Sequence, residues 1–173
     1  SEAVMLRRPS RRRLLGAAAL ATTLLAGCGF QLRRPPELAW KRIFLSGFSE
    51  DSALADELRR QLRASPGVTV ADTPADADLI VESLQDSSEH LVAATTSTSQ
   101  ISEMTLRARL RFRVRTPAGR ELIVPTELAQ TRDMSYSESS ALAKQHEATL
   151  LFRAMHADLA MQVLRRLAAL GPA

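Results

Sequence analysis

A chain of 173 residues with 45% hydrophobic and 24% charged side chains carries enough apolar material for one ordinary domain, and too much for wholesale disorder. Its formal net charge of +4 suggests a nucleic-acid partner only until the charges are located. Five of the 23 basic side chains (Arg7, Arg8, Arg11, Arg12 and Arg13) and one of the 19 acidic ones (Glu2) precede residue 28, so the remainder holds equal numbers of each sign. The single cysteine excludes an intramolecular disulfide and a cysteine-rich metal site. His90, His146 and His156 have no companions at ligand spacing and read as surface histidines.

Residues 1–27 read as a cleaved secretion signal, with Met5 as a start. A basic stretch, Leu6 to Arg13, is followed by an apolar run from Leu14 to Ala26. Thirteen helical residues reach about 20 Å, short of the roughly 30 Å hydrocarbon core, so the run suits a signal better than a membrane span. It ends in Leu25-Ala26-Gly27-Cys28, which resembles the lipobox of bacterial lipoproteins: small residues admit the peptidase and the thiol takes the lipid. Cys28 is therefore the expected lipidation site, carrying N-acyl and diacylglycerol chains and needing no other cofactor. A multi-chain anchor of this kind is effectively permanent. Gly29, by resemblance to sorted lipoproteins, favours the outer membrane. Ser10 to Leu15 also resembles a twin-arginine export signal, so either export route fits.

Residues 28–40 form a lipidated terminus and linker, stiffened by Pro35-Pro36, and residues 41–170 a single domain. Lys41 to Ser46 reads as a strand ended by Gly47. Ser49 to Ser52 offers helix-capping oxygens, and Leu54, Leu58 and Leu62 give the helix one apolar stripe. Ser65-Pro66-Gly67 stops it, Val68 to Val70 is a short strand, and Asp72 to Asp78 is a loop. A strand then runs from Leu79 to about Val92, with a small polar turn over 93–100. Residues 103–115 and 121–132 form a hairpin through Thr116-Pro117-Ala118-Gly119. Ser137 to Ser140 caps a long helix to Leu170, striped by Ala148, Leu151, Phe152, Met155, Leu159, Val163 and Leu167. The order β-α-β-β-β-β-α predicts an α+β fold: two helices packed on one face of a mostly antiparallel (mixed) sheet.

The stretch Met104 to Arg115 alternates strictly. Met104, Leu106, Ala108, Leu110, Phe112 and Val114 share one face of the strand; Arg107, Arg109, Arg111, Arg113 and Arg115 share the other, about 6.5–7 Å apart. A hairpin centred on Pro117-Ala118 sets Arg115 opposite Glu121 and Arg109 opposite Glu127, and Glu82 and Asp86 on the preceding strand answer other arginines. One reading is thus an internally compensated, solvated face. The other is an anion-binding surface, since the guanidinium fork matches phosphate and carboxylate. Aromatic residues are scarce on this face and the chain is exported, which argues against nucleic acid and for lipopolysaccharide phosphates or an acidic protein wall. There is no phosphate loop, nucleophile elbow or zinc-protease helix, and no catalytic set can be filled, so the chain does not read as an enzyme.

Cys28-Gly29-Phe30-Gln31-Leu32-Arg33 resembles the mature start of the LptE family of lipopolysaccharide-assembly lipoproteins: Cys-Gly, an aromatic, one variable residue, then Leu-Arg. Element order and length are similar over nearly all of 28–170. Ala141-Leu142-Ala143-Lys144 resembles the beginning of the family's long helix, which implies lipopolysaccharide contact by Lys144. An arginine found elsewhere in the family is matched over 95–100 only by Thr, Ser and Gln, and Arg107, Arg109, Arg111 and Arg113 are its candidate replacements. The resemblance implies a non-catalytic, periplasm-facing plug of the outer-membrane barrel LptD, which supports barrel assembly and passes lipopolysaccharide to the surface. A pilotin, an auxiliary subunit of a lipid transporter, and an uncharacterised periplasmic enzyme are the alternatives.

Overall fold

The structure, a computed structural model, describes residues 37–98 and 100–171. The signal segment, Cys28 and the linker up to Pro36 lie outside them. Five strands and two helices occur in the expected order: β1 (Arg42–Ser46), α1 (Ala53–Ala64), β2 (Thr69–Val70), β3 (Leu79–Thr95), β4 (Ile101–Arg115), β5 (Glu121–Ser135) and α2 (Ala141–Ala168). One-turn 3-10 helices at Pro74–Asp76 and Glu138–Ser140 interrupt the expected loop and precede α2.

The five strands make one sheet in the order β2-β1-β3-β4-β5. β1 runs parallel to β2 and β3, while β3, β4 and β5 form an antiparallel meander. The α1 stripe is buried as its spacing foretold, and so is the α2 stripe apart from Leu151 and Phe152, which are only partly buried. Leu54, Leu58 and Leu62 of α1 join Met155, Leu159, Val163 and Leu167 of α2 over Leu106, Leu110, Phe112 and Val114 of β4, all at most 1% exposed. Ser52 caps α1, its Oγ accepting from the Ala55 amide at 2.9 Å. Gly47 ends β1 with φ of +74°, and a Cβ there would sit 2.2 Å from the Ser83 carbonyl oxygen; only glycine lets the chain pass β3 this closely.

β3 and β4 are longer than the helices are wide. The outer part of β3 runs to Thr95, three residues into the expected turn, and a tight connection closed by Thr96 N–H to Gln100 O (2.7 Å) leads into β4. The outer half of the meander forms an arm. Beside it the first half of α2 buries little beyond Ala148, leaving Leu142 and Leu150 exposed.

Besides two register shifts near the β3–β4 connection, three irregularities decide which side chains meet along the arginine ladder. On β3, Leu84 is an extra residue between Ser83, opposite Phe112, and Gln85, opposite Arg111. A single-residue bulge turns the side chains that follow to the other face, here as far as the next shift after Val92. On β5, one bulge falls at Leu122 and another at Val124-Pro125, where proline has no N–H for the ladder. Two shifts together restore the original face but displace the register.

Candidate functional site

The arginine face is real and is mostly answered from within. Leu106, Ala108, Leu110, Phe112 and Val114 are buried toward the helices, and the five arginines stand on the opposite face. Glu82 lies across from Arg113 and takes two bonds from it, Nε to Oε2 at 3.0 Å and Nη2 to Oε1 at 3.1 Å. Arg115 Nε reaches the same Oε2 at 3.0 Å. Arg109 Nη2 bonds diagonally to Glu89 Oε1 at 3.0 Å. Hydrogen bonding from Arg115, ahead of that from Arg113, holds the Glu82 carboxyl below the usual carboxylate range, against the opposing effect of burial. Arg109 does the same for Glu89.

The register corrects two expected pairings. Arg115 does face Glu121, but the β5 bulges put Glu127 opposite Arg111 and leave Ala129 opposite Arg109. Asp86 does not join the arginines at all: the Leu84 bulge places it opposite Leu110, on the helix side, where its Oδ2 accepts from Ser52 Oγ at 2.5 Å. Among the described residues, Arg107 and Arg111 have no carboxylate within ion-pair distance, and Arg111 is exposed. Within the ladder these two are the cations open to an outside anion.

The same bulge builds something that alternation alone hides. Asp86, Ser88 and His90 turn toward α2 and line a cleft of about 670 Å³ with Phe152, His156 and the start of α1. His156 is buried, not superficial as its isolation in the sequence suggested; its Nε2 lies 2.9 Å from Ser88 Oγ and its ring stacks on Phe152. Burial pushes its pKa down, partly opposed by the charge of Asp86. His90 and His146 are exposed as expected. Among the described residues no group of His, Cys, Asp and Glu is arranged to hold a metal ion.

Lys144 sits in the second turn of α2, facing the arm. Its Nζ donates to Ser135 Oγ (3.0 Å) and Glu147 Oε2 (2.9 Å), and its side chain is 20% exposed. A cation this near a helix N-terminus opposes the helix dipole, and Glu147 one turn on offsets it. Lys144 stands beside a groove of about 380 Å³ between the arm and α2, with Met104, Met134, Tyr136 and Ala148 among its walls. The structure does not bring Lys144 together with the arginines: they point away from the helices, and Lys144 lies on the helix side. The groove was missed in the sequence because its walls come from three distant segments.

Comparison with known proteins fits these elements. The sequence profile of the LptE lipopolysaccharide-assembly family matches residues 40–167, from just before β1 to the last turn of α2. The chain belongs to the LptE family. Within it, the LPS-assembly lipoprotein LptE of Yersinia enterocolitica is 33% identical over 159 residues, covering 89% of this chain and 73% of that protein. Lipoprotein B of Nitrosomonas europaea, solved by NMR, has the same fold with a TM-score of 0.68 at 22% identity, over 82% of this chain and 91% of that one. The rare lipoprotein B of Shewanella oneidensis superposes with a TM-score of 0.62 at 26% identity, over 75% and 95% of the two chains. The mixed five-stranded sheet with two helices is thus an LptE fold, as the element order had suggested. Among the described residues of this LptE chain no helix is long and apolar enough to cross a membrane.

Proposed function

We propose that this protein is an outer-membrane lipoprotein, anchored by lipid on Cys28, that takes part in lipopolysaccharide assembly as the partner and plug of the LptD barrel. Membership of the LptE family, over nearly the whole domain, is the observation that carries the reading. The lipobox at Leu25 to Cys28 supports the lipid anchor. The role is binding and scaffolding rather than catalysis, with no cofactor beyond the lipid.

Lipopolysaccharide presents phosphates, and two places on the chain suit them: Lys144, and the arginine face of Arg107, Arg109, Arg111 and Arg113. Arg107 and Arg111 lead on that face, because Glu82 and Glu89 already occupy the others. Replacing both Arg107 and Arg111 by Gln should leave the fold intact, weaken lipopolysaccharide binding and flatten its dependence on salt, since fewer screened contacts remain. Unchanged affinity and salt slope would remove the ladder from the binding site. For the anchor, Cys28→Ala should abolish lipid labelling and release the protein from the membrane; a variant still labelled and anchored would refute the assignment.

A further inference from the structure

The geometry points to the outer edge of β5, over residues 127–133, as a docking edge for an extended segment of another protein, one that carries two basic side chains six residues apart on the same face. This contact lies outside the lipopolysaccharide reading and does not depend on it.

The backbone decides the mode of contact. β5 is the last strand of the sheet, with β4 on one side and no strand on the other among the described residues. From Thr126 to Ser135 its register with β4 is unbroken. Tyr136 continues that register by one step, and its N–H donates to the Ser102 carbonyl at 2.8 Å. Hydrogen-bonded and non-bonded pairs alternate along an antiparallel ladder. The even-numbered residues of this stretch therefore bond to β4, while Glu127, Ala129, Thr131 and Asp133 turn their N–H and C=O groups outward. The Thr131 carbonyl accordingly accepts from the Arg132 side chain, Nη1 at 3.2 Å. All four residues are exposed. A free edge of this kind is a template for a further strand. Bulges and a proline blunt such edges, and in β5 they fall only before Thr126, at Leu122 and Val124-Pro125.

Charge decides the partner. Leu128 and Met134 are buried toward the helices, so alternation puts Glu127 and Asp133 on the opposite face, about 20 Å apart at about 3.3 Å per residue. Glu127 stands opposite Arg111 without an ion pair, and Asp133 accepts a neutral hydroxyl, Thr105 Oγ1 at 2.6 Å. Neither acid has a cation within ion-pair distance among the described residues. Two copies of this chain paired antiparallel about Gln130 would set the Glu127 of each opposite the Asp133 of the other, and like charges directly opposite are destabilising. The edge thus disfavours its own copy and suits a strand with Lys or Arg opposite both acids.

The test adds a nine-residue peptide to the full chain in nonionic detergent and follows backbone amides by NMR. The peptide alternates threonine and valine, with lysine at its second and eighth positions. The amides of Glu127, Ala129, Thr131 and Asp133 should shift and gain protection from hydrogen exchange. Glu127→Gln combined with Asp133→Asn should weaken the peptide about tenfold, the worth of two exposed cross-strand charge pairs. Thr131→Pro should weaken it at least as much and leave the fold intact, since the N–H it removes has no partner in the ladder. Should that variant fail to fold, the peptide decides: methylation of the backbone nitrogens of its fourth and sixth residues, which face Thr131 and Ala129, should abolish binding to the wild type. No shift at the four amides with the peptide at millimolar concentration would overturn the proposal. So would equal binding of the N-methylated peptide, or of one whose lysines are moved to the third and ninth positions and hence to the other face. Protection of the same amides with rising protein concentration and no peptide would put a second copy on the edge and overturn it as well.

Discussion

Glu82 holds the arginine face together, because it answers two guanidinium groups at once from a half-buried position. Glu82→Gln should destabilise the fold by about 1–2 kcal/mol in urea melts, since Arg113 and Arg115 lose a charged acceptor. Arg111→Gln should fall within about 0.5 kcal/mol of wild type, as an exposed site without an ion pair. Comparable losses in the two variants would contradict the division of the ladder. Acid should weaken the fold in two stages. Burial lowers the His156 pKa, so the unfolded chain binds that proton more readily; the stability is present above the ordinary histidine value of about 6.5 and lost as pH falls below it. Glu82 is held low by Arg115 and Arg113, Glu89 by Arg109, and Asp78 by Arg42, whose Nη2 donates to its Oδ1 at 2.7 Å, so their contribution is present above the ordinary carboxylate range and lost on further acidification. Thermal melts should therefore show a decline between pH 7 and 5 that His156→Leu reduces. A wild-type profile flat over that interval would speak against a buried neutral imidazole.

Periodicity made the elements legible, and the bulges hid the pairings. The Leu54, Leu58 and Leu62 stripe and the strict alternation of Met104 to Val114 fixed the helix and strand faces, because burial follows spacing directly. Residue partners follow register, and register depended on Leu84, Leu122 and Val124-Pro125, which carry no distinctive bulge signature apart from the proline. Unbroken ladders would match Arg109 to Glu127 and Asp86 to the arginines. His156 could have been recognised as buried from its place one residue after Met155 on the apolar stripe. The groove could not, since Met104, Met134 and Ala148 meet only in the fold. Gly47 tests the junction between β1 and β3. Gly47→Ala should cost at least about 2 kcal/mol, combining a left-handed backbone with a Cβ 2.2 Å from the Ser83 carbonyl oxygen. Stability equal to wild type in a denaturant melt would mean that β1 does not pass β3 at this distance.

Taken whole, the domain has two unlike faces. One side of the sheet carries a charged lattice of arginines and carboxylates, and the other carries the helices, the core and an apolar groove with a single cation. The charged face suits the proposed contact with a barrel wall. The proposed lipid on Cys28 would keep the domain at the membrane. The most direct measurement is affinity purification of the full chain from its own outer membrane after mild crosslinking. The account predicts that the LptD barrel is recovered with it in equal amount and that depletion of the protein lowers the assembled barrel. Recovery of the lipoprotein without the barrel, with barrel levels unchanged on depletion, would contradict it.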